Sequence, residues 1–227
     1  MRGLYAIIDA GLIERRGLDP LRFAAAVLAA APVAVQLRDK RGSAGATLEL
    51  LRRLQPVCRA AGVPLFANDR ADLAALAGCD GVHLGQQDLP APLARQVLAA
   101  TGDAPGRERV VGVSAHNEAE LDRALAWQPS YVAFGPVFHT QSKRKLDPVL
   151  GLEGLETLVR SSRSVRADLP TVAIGGIDQA NAAAVAAICP CVAAIGALVP
   201  DEGAGPACYA EVQGRALALA RALGPPP

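Results

Sequence analysis

Three polar side chains stand at alternate positions at the end of an apolar run near residue 35. Gln36, Arg38 and Lys40 can face one side of an extended segment, because side chains two residues apart point the same way along a strand. Two cations and an amide on one face can converge on a single anion through charge-assisted hydrogen bonds. A solvated loop with a local ion pair explains the same residues, so this segment alone does not decide.

Two carboxylates follow the next two apolar runs, and each stands beside carboxamides. Asp69 comes after Asn68, and Asp88 comes after Gln86 and Gln87. Two carboxylates on neighbouring strand ends suit Mg²⁺, a hard cation that keeps several waters and binds substrate phosphates. Taken separately, Asp69 is explained as a helix N-cap and Asp88 as a turn residue. Together, and beside the cations of the preceding segment, they favour a site for a metal and a diphosphate.

The later runs are followed by further groups that can bind phosphate. Ser114 can donate to a phosphate oxygen or cap the next helix. The segment 135–145 combines two hydroxyls with three cations, which is the composition of a lid over phosphates. The pair Gly175-Gly176, and later Gly196, let backbone N–H groups approach an anion. A turn requirement alone would also explain these glycines.

The chain lacks the motifs of several other chemistries. His83, inside a predicted strand, and His116 are predicted to make structural hydrogen bonds. No histidine–carboxylate set has the spacing of zinc ligands, which argues against a zinc hydrolase. Neither a Gly-x-Ser-x-Gly elbow nor a Gly-x-Gly-x-x-Gly motif after the first strand is present, so neither a nucleophile-elbow hydrolase nor a dinucleotide-binding fold is indicated.

Eight short apolar runs must position these groups. The runs are mostly continuous rather than alternating, which is typical of parallel strands covered on both faces. They are Leu4 to Ile8, Val33 to Leu37, Pro64 to Ala67, Gly81 to Leu84, Val110 to Val113, Tyr131 to Phe134, Thr171 to Ile174 and Cys191 to Ile195. With helical patterns between them they predict a single (β/α)₈ TIM barrel over residues 1–223, with a frayed tail at 224–227. In such barrels the reacting groups lie at the carboxyl ends of the strands.

Several helices have recognisable ends. Asp19-Pro20, Ser43 and Asn117 are predicted to begin helices, the last with Glu120 as a capping box. The predicted helices run from Leu21 to Ala31, from Ser43 to near Gly62, from about Arg70 to Gly78, from Asn117 to Trp127, from near Gly151, from near Gln179, and from Tyr209 to Leu223.

The composition narrows the class of partner. Among 227 residues, 23 Lys and Arg stand against 22 Asp and Glu, so no basic field is present for a nucleic-acid backbone. The five cysteines form no C-x-x-C pair and are interpreted as buried or incidental thiols. The N-terminal apolar run is too short for a membrane span or a signal peptide. We therefore expect a cytoplasmic protein that binds neither nucleic acid nor a membrane.

Taken in chain order, the residues at the strand ends resemble those of the thiamine-phosphate synthase family. The resemblance covers nearly the whole chain in the family's order and spacing, and the ordered set is more specific than any one segment. The matching segments are Gln36-Leu37-Arg38-Asp39-Lys40, Asn68-Asp69-Arg70, Val82-His83-Leu84-Gly85-Gln86-Gln87-Asp88, Gly112-Val113-Ser114-Ala115-His116, Gly135-Pro136-Val137-Phe138, Thr140-Gln141-Ser142-Lys143 and Ala173-Ile174-Gly175-Gly176-Ile177.

The resemblance implies a transferase that joins hydroxymethylpyrimidine diphosphate to hydroxyethylthiazole phosphate, giving thiamine phosphate and diphosphate. It implies Mg²⁺ as cofactor on Asp69 and Asp88, and the catalytic cations Arg38, Lys40 and Lys143. The pyrimidine diphosphate would be held by Gln36, Arg38, Lys40, Asn68, Ser114 and Lys143. The thiazole phosphate would be held by Thr140, Ser142, Gly176, Ile195 and Gly196. Small phosphorylated substrates are thus the expected partners, and a homo-oligomer stays open.

The chain departs from the family pattern mainly on the thiazole side. The family commonly has a serine beside the last strand, where Ile195-Gly196-Ala197-Leu198 offers only backbone donors. Ser142 replaces the usual threonine, and His139 stands where proline is frequent. The approach Cys189-Pro190-Cys191 lacks the usual Gly-Ala-Asp-Gly. Two alternatives remain: a thiazole tautomerase-like relative, and a non-catalytic sensor of thiazole phosphate or thiamine phosphate.

Overall fold

Eight strands pair in chain order and close into a parallel barrel in the computed structural model, which describes residues 1–100, 108–140, 148–201 and 206–224. Because β1 pairs with both β2 and β8, the sheet has no free edge. The structure confirms the predicted (β/α)₈ TIM barrel. The strands are β1 (Gly3–Asp9), β2 (Ala34–Arg38), β3 (Leu65–Asn68), β4 (Gly81–Leu84), β5 (Val110–Ala115), β6 (Tyr131–Phe134), β7 (Thr171–Ile174) and β8 (Cys191–Ala194).

Helices alternate with the strands and cover the outside of the barrel. Within the described residues, no helix is both long enough and apolar enough to cross a bilayer. The helices are α1 (Ala10–Arg15), α2 (Pro20–Leu28), α3 (Ala44–Ala60), α4 (Ala71–Leu76), α5 (Ala91–Ala99), α6 (Glu118–Ala126), α7 (Gly151–Val165), α8 (Ala182–Ile188) and α9 (Pro206–Ala222), with a 3₁₀ turn over Gly196–Leu198. The frayed tail is predicted for residues 224–227, and of these the structure describes residue 224 alone.

The sequence patterns predict neither α1 nor α5. Helix α1 follows β1 without a connecting loop, because Asp9 both ends the strand and accepts a hydrogen bond from the backbone N–H of Leu12 (2.9 Å). Helix α5 begins directly after Pro90 and carries Pro92 in its first turn. Proline costs no helical hydrogen bond there, so two prolines that suggest a turn in fact open a helix. Its buried face consists of Ala91, Ala94 and Leu98.

The predicted helix caps are present, with one correction. The side chains of Asp19, Ser43 and Asn117 each accept a hydrogen bond from the backbone N–H three residues on. Glu120, predicted to return to Asn117, accepts instead from the backbone N–H (2.8 Å) and the ring Nδ1 (2.6 Å) of His116. His116 is therefore tied to its own helix, as the structural interpretation of this histidine predicts.

Aromatic side chains from three strands meet inside the barrel. Tyr5, Phe66 and Tyr131 lie with ring centroids 5.9–6.3 Å apart, and both tyrosines are almost fully buried. Gly112 on β5 gives Tyr131 its space, because a Cβ built at residue 112 would lie 2.0 Å from Cζ of the tyrosine ring. A glycine that looks like an ordinary strand residue is thus a packing requirement.

We expect Gly112→Ala to lower the free energy of unfolding by about 1–3 kcal/mol, the usual range for overpacking a close-packed interior. Gly214→Ala is the matched control, because Gly214 lies within α9 with no atom within 4 Å of an added Cβ, and alanine there should stabilise the helix by about 1 kcal/mol. Urea unfolding of both variants measures the difference. Equal stability of the two variants would contradict the packing of Tyr131 against Gly112.

Candidate active site

The strand register brings the predicted polar residues to one rim. Arg38 lies beside Asp9 in the pairing of β1 with β2, and Asn68 lies beside His83 in the pairing of β3 with β4. Because β5 extends two residues beyond its predicted end, Ser114 is a strand residue, paired with Ala133 on β6. Side chains that are far apart in sequence therefore surround the carboxyl ends of the strands, where the barrel rule places them.

Arg38 is bound to a carboxylate that the sequence analysis did not include in the site. Its guanidinium donates to Asp9, and both side chains are largely buried. Asp9 is fixed by its second role as the cap of α1. The only sequence signal for Asp9 is its place as the charged last residue of the first apolar run. Arg38 is thereby held in place at the rim by β1.

Lys40 donates to the second carboxylate, Asp69. The backbone of Asp69 is left-handed (φ 64°), and its N–H donates to the carbonyl of His83 (2.7 Å). Helix α4 has Arg70 at its N-cap position, without a side-chain hydrogen bond. The interpretation of Asp69 as a helix cap is therefore wrong, and its carboxylate points to the rim cation.

The loop that carries Lys40 is closed by Asp39. Its carboxylate accepts from the backbone N–H of Gly42 (2.7 Å) and Arg41 (3.1 Å) and from the hydroxyl of Thr47 (2.9 Å). Although burial alone would raise it, these hydrogen bonds hold the pKa of Asp39 below its ordinary value. Asp39 stays ionised and fixes the loop, while the side chain of Lys40 remains about half exposed.

Asp69 and Asp88 come into direct contact. Burial raises the pKa of the Asp69 carboxyl above its ordinary value; Lys40 opposes that rise, and the adjacent Asp88 carboxyl adds to it. Asp88 also accepts from the backbone N–H of Gly85 (2.6 Å), so its interpretation as a turn residue holds as well. Two carboxyl groups in contact favour a cation between them.

A metal on these residues would rest on two carboxylates. Within the described ranges, no three His, Cys, Asp or Glu side chains form a group that could hold a metal ion. Mg²⁺ commonly binds through one or two carboxylates plus water and substrate phosphates, so Asp69 and Asp88 fit that ion. The amide Nδ2 of Asn68 is buried and has no hydrogen-bond partner among the described residues. An unpaired buried donor is costly, so a ligand oxygen fits there too.

A continuous chain of hydrogen bonds crosses the barrel below the rim. Gln36 Nε2 donates to Tyr5 Oη (2.8 Å), and Tyr5 Oη lies 2.9 Å from Tyr131 Oη. Tyr131 Oη lies 2.9 Å from His83 Nδ1, whose other ring nitrogen, Nε2, lies 2.8 Å from Ser114 Oγ. Burial raises the pKa of both tyrosines, so their hydroxyls stay protonated. The chain links two predicted substrate residues, Gln36 and Ser114, and His83 bonds internally as predicted.

The loops after β6, β7 and β8 form the other side of the rim. Gly176 has a left-handed backbone (φ 64°), and a Cβ there would lie 2.4 Å from the carbonyl oxygen of His139. The turn requirement for this glycine is therefore real, and the segment leading to half-buried Thr140 packs on it. The 3₁₀ turn begins after Ile195 and has only backbone donors at its start. Gly196 has open space around it. Ser142 and Lys143 lie outside the described residues.

Comparison with known proteins identifies the family to which this rim belongs. A family model described as thiamine monophosphate synthase matches residues 4–198. A thiamine-phosphate synthase of Chloroflexus aurantiacus is 39% identical over 182 residues, 80% of this chain and 77% of the relative. One of Methanocella arvoryzae is 40% identical over 200 residues, 88% of each. A thiamine phosphate pyrophosphorylase structure from Pyrococcus furiosus has a TM-score of 0.77 at 26% identity, covering 97% of this chain and 95% of that one. The chain therefore belongs to the thiamine monophosphate synthase family of transferases.

Proposed function

We propose that this protein is a thiamine-phosphate synthase, which joins hydroxymethylpyrimidine diphosphate to hydroxyethylthiazole phosphate and releases diphosphate. The observation that carries the proposal is a pair of rim cations, Arg38 and Lys40, beside the touching carboxyl groups of Asp69 and Asp88. Family membership supports the same reaction.

The reaction needs no protein nucleophile. When the carbon–oxygen bond breaks, its electron pair leaves with the diphosphate, and the aminopyrimidine stabilises the remaining carbocation. The thiazole nitrogen then supplies the pair for the new carbon–nitrogen bond. The task of the protein is to stabilise negative charge on the leaving group. Arg38 and Lys40 suit it, and Lys143, outside the described residues, is the third cation that the family resemblance assigns to the same group.

Lys40 can exchange its carboxylate partner for a diphosphate at small cost. The side chain of Lys40 is 49% exposed, and ion pairs of such exposure contribute about 1 kcal/mol or less. A diphosphate carries more charge than either carboxylate, and charge-assisted hydrogen bonds to phosphate are strong. When Lys40 turns to the substrate, Asp69 loses its partner and is left beside Asp88.

Asp69 and Asp88 would then hold Mg²⁺. When bound, this ion supplies positive charge that neutralises the leaving diphosphate. Asn68, adjacent to Asp69 in sequence, has an unpaired amide N–H that suits an oxygen of the same substrate. Gln36 and Ser114, at the two ends of the buried chain, would orient the pyrimidine diphosphate between them.

The thiazole phosphate is assigned to the opposite side of the rim. The backbone N–H groups of Gly176 and of the Ile195-Gly196 turn, with the hydroxyls of Thr140 and Ser142, are the proposed donors. Phosphate sites of TIM barrels are frequently formed by the loops after the last two strands. A phosphate fixed there would hold the thiazole nitrogen toward the reacting carbon, so that positioning supplies part of the rate.

The first test measures thiamine phosphate formed from both substrates, by fluorescence after oxidation to thiochrome. We expect product only with Mg²⁺, and a fall of about 100-fold or more in Asp69→Asn, because a lost metal ligand removes several kcal/mol of charge stabilisation. Asparagine is chosen because it tolerates the left-handed backbone at residue 69. Asp72→Asn is the control, since Asp72 pairs with Arg70 on the surface.

Other outcomes of this assay separate the alternatives. Product formation that survives removal of Mg²⁺, or that Asp69→Asn leaves unchanged, contradicts the metal site. Well-folded protein that binds thiazole phosphate and forms no product contradicts the synthase proposal and supports a tautomerase-like relative or a sensor.

We expect Gly196→Ser to lower the KM for thiazole phosphate by about tenfold or more with kcat unchanged, because a hydroxyl adds one hydrogen bond to a charged group. The open space at Gly196 allows the side chain. Gly176→Ser is the matched contrast, since its Cβ would collide with the carbonyl of His139, and it should lose stability. An unchanged or higher KM in Gly196→Ser would contradict the assignment of the thiazole phosphate to this turn.

A further inference from the structure

Only one direction of the buried hydrogen-bond chain from Gln36 gives every hydroxyl proton in it an acceptor. Its amide Nε2 is a donor and never an acceptor, so Tyr5 Oη accepts from it. A tyrosine hydroxyl has one proton, and because Tyr5 is buried that proton needs an acceptor. Tyr131 Oη is the hydroxyl within reach, so Tyr5 donates to it. The proton of buried Tyr131 then finds its acceptor in His83 Nδ1.

The direction of the chain decides the state of its last two members. Because His83 Nδ1 accepts, the neutral imidazole carries its proton on Nε2 and donates it to Ser114 Oγ. Ser114 Oγ then has its own proton left, and it has no second hydrogen-bond partner among the described residues. We infer that Tyr131 is a positioning residue that acts through His83 to hold the Ser114 hydroxyl as a hydrogen-bond donor to the substrate. That the substrate is the pyrimidine diphosphate rests on the proposed function.

Packing holds the middle of the chain rigid. The Tyr131 ring fills the space above Gly112 and stacks on His83 with centroids 5.6 Å apart and planes 18° apart. At the far end, Gln86 Nε2 donates to the backbone carbonyl of Ser114 (2.6 Å). The backbone and the hydroxyl of Ser114 are thus fixed separately, by Gln86 and by His83. A rigid donor loses little entropy when it meets its acceptor.

The hydroxyl of Ser114 is thereby held ready to donate to an acceptor. Because Ser114 Oγ accepts from His83 Nε2–H, its own proton is available for a ligand. That proton suits an anionic oxygen and not a second N–H group. Gln36, at the other end, sets this polarity from β2, although it lies across the barrel from β5. Tyr5 and Tyr131 transmit the polarity between the two strands and need not touch the substrate.

The first test is the tautomer of His83, read by ¹⁵N NMR of the unliganded protein at alkaline pH, where imidazoles are neutral. We expect protonated Nε2, and we expect Tyr131→Phe to move part of the population to the Nδ1–H form because Nδ1 loses its donor. His83→Gln identifies the signal. Tyr209→Phe, whose hydroxyl accepts from the backbone of Asp19, is the control and leaves the tautomer unchanged. Nδ1–H in the wild-type protein, or no change in Tyr131→Phe, overturns the inference.

The second test is a double-mutant cycle on turnover of the pyrimidine diphosphate. Tyr131→Phe is expected to lower kcat/KM about twofold to tenfold, the worth of one hydrogen bond between neutral groups. In a Ser114→Ala background it should have no further effect, because Tyr131 acts through Ser114. Losses that multiply independently contradict this. If Tyr131→Phe does not fold, the tautomer of the wild-type protein still decides the inference, because protonated Nδ1 overturns it without any variant.

The two tests separate the inference from the proposed function. The tautomer is measured without substrate, so it decides the direction of the chain even in a protein that makes no thiamine phosphate. Absence of turnover in the wild-type protein contradicts the synthase proposal alone, whereas the wrong tautomer contradicts the role of Tyr131 alone.

Discussion

A polar side chain inside a closed parallel barrel must find its partner on another strand. Here that constraint is met by the chain from Gln36 to Ser114, in which every link joins side chains from different strands. Burying these groups unpaired would cost several kcal/mol. Satisfying them ties β1, β2, β4, β5 and β6 together and forms a rigid floor. Gly112 is required by the same hydrogen-bond chain, because any side chain at position 112 would overlap the Tyr131 ring.

At the rim above these buried side chains, each of two cations is paired with a carboxylate. Arg38 meets Asp9, and Lys40 meets Asp69, so no rim cation among these is left buried and alone. The two pairs differ in burial. Arg38 and Asp9 are both largely buried and Asp9 also caps α1, whereas Lys40 is half exposed on a loop that Asp39 closes. We therefore expect Lys40 to move toward a diphosphate more readily than Arg38, which Asp9 holds in position.

Local sequence patterns predicted the architecture and much of the rim. Continuous apolar runs identify parallel strands, and the polar residues at their ends must then meet at one rim. Asp69 and Asp88 were both assigned to that rim, and they touch. The patterns could not show which partner each charge would choose. Asp9 was overlooked because nothing in its neighbourhood indicates that Arg38, 29 residues away, will reach it.

Two kinds of property could not be predicted from the sequence: contacts between residues far apart in the chain, and the room that a side chain needs. Tyr5 and Tyr131 are 126 residues apart, and each looks like an ordinary apolar strand residue. Helix α5 is not predicted by the sequence patterns, because prolines in a first helical turn and in a loop look alike. The capping box at Asn117 was half wrong, since His116 offered Glu120 both a backbone and a ring donor. Ser142 and Lys143 remain predictions outside the described residues.

We expect the rim to exchange its Lys40–Asp69 ion pair for a metal and a diphosphate. A crystal structure of the protein with Mn²⁺ and inorganic diphosphate tests this directly, because anomalous scattering locates the metal. We expect Mn²⁺ on Asp69 and Asp88, with Lys40 detached from Asp69 and bound, like Arg38, to the diphosphate. A diphosphate bound elsewhere, with Lys40 still on Asp69 and no metal between the two carboxylates, would contradict it.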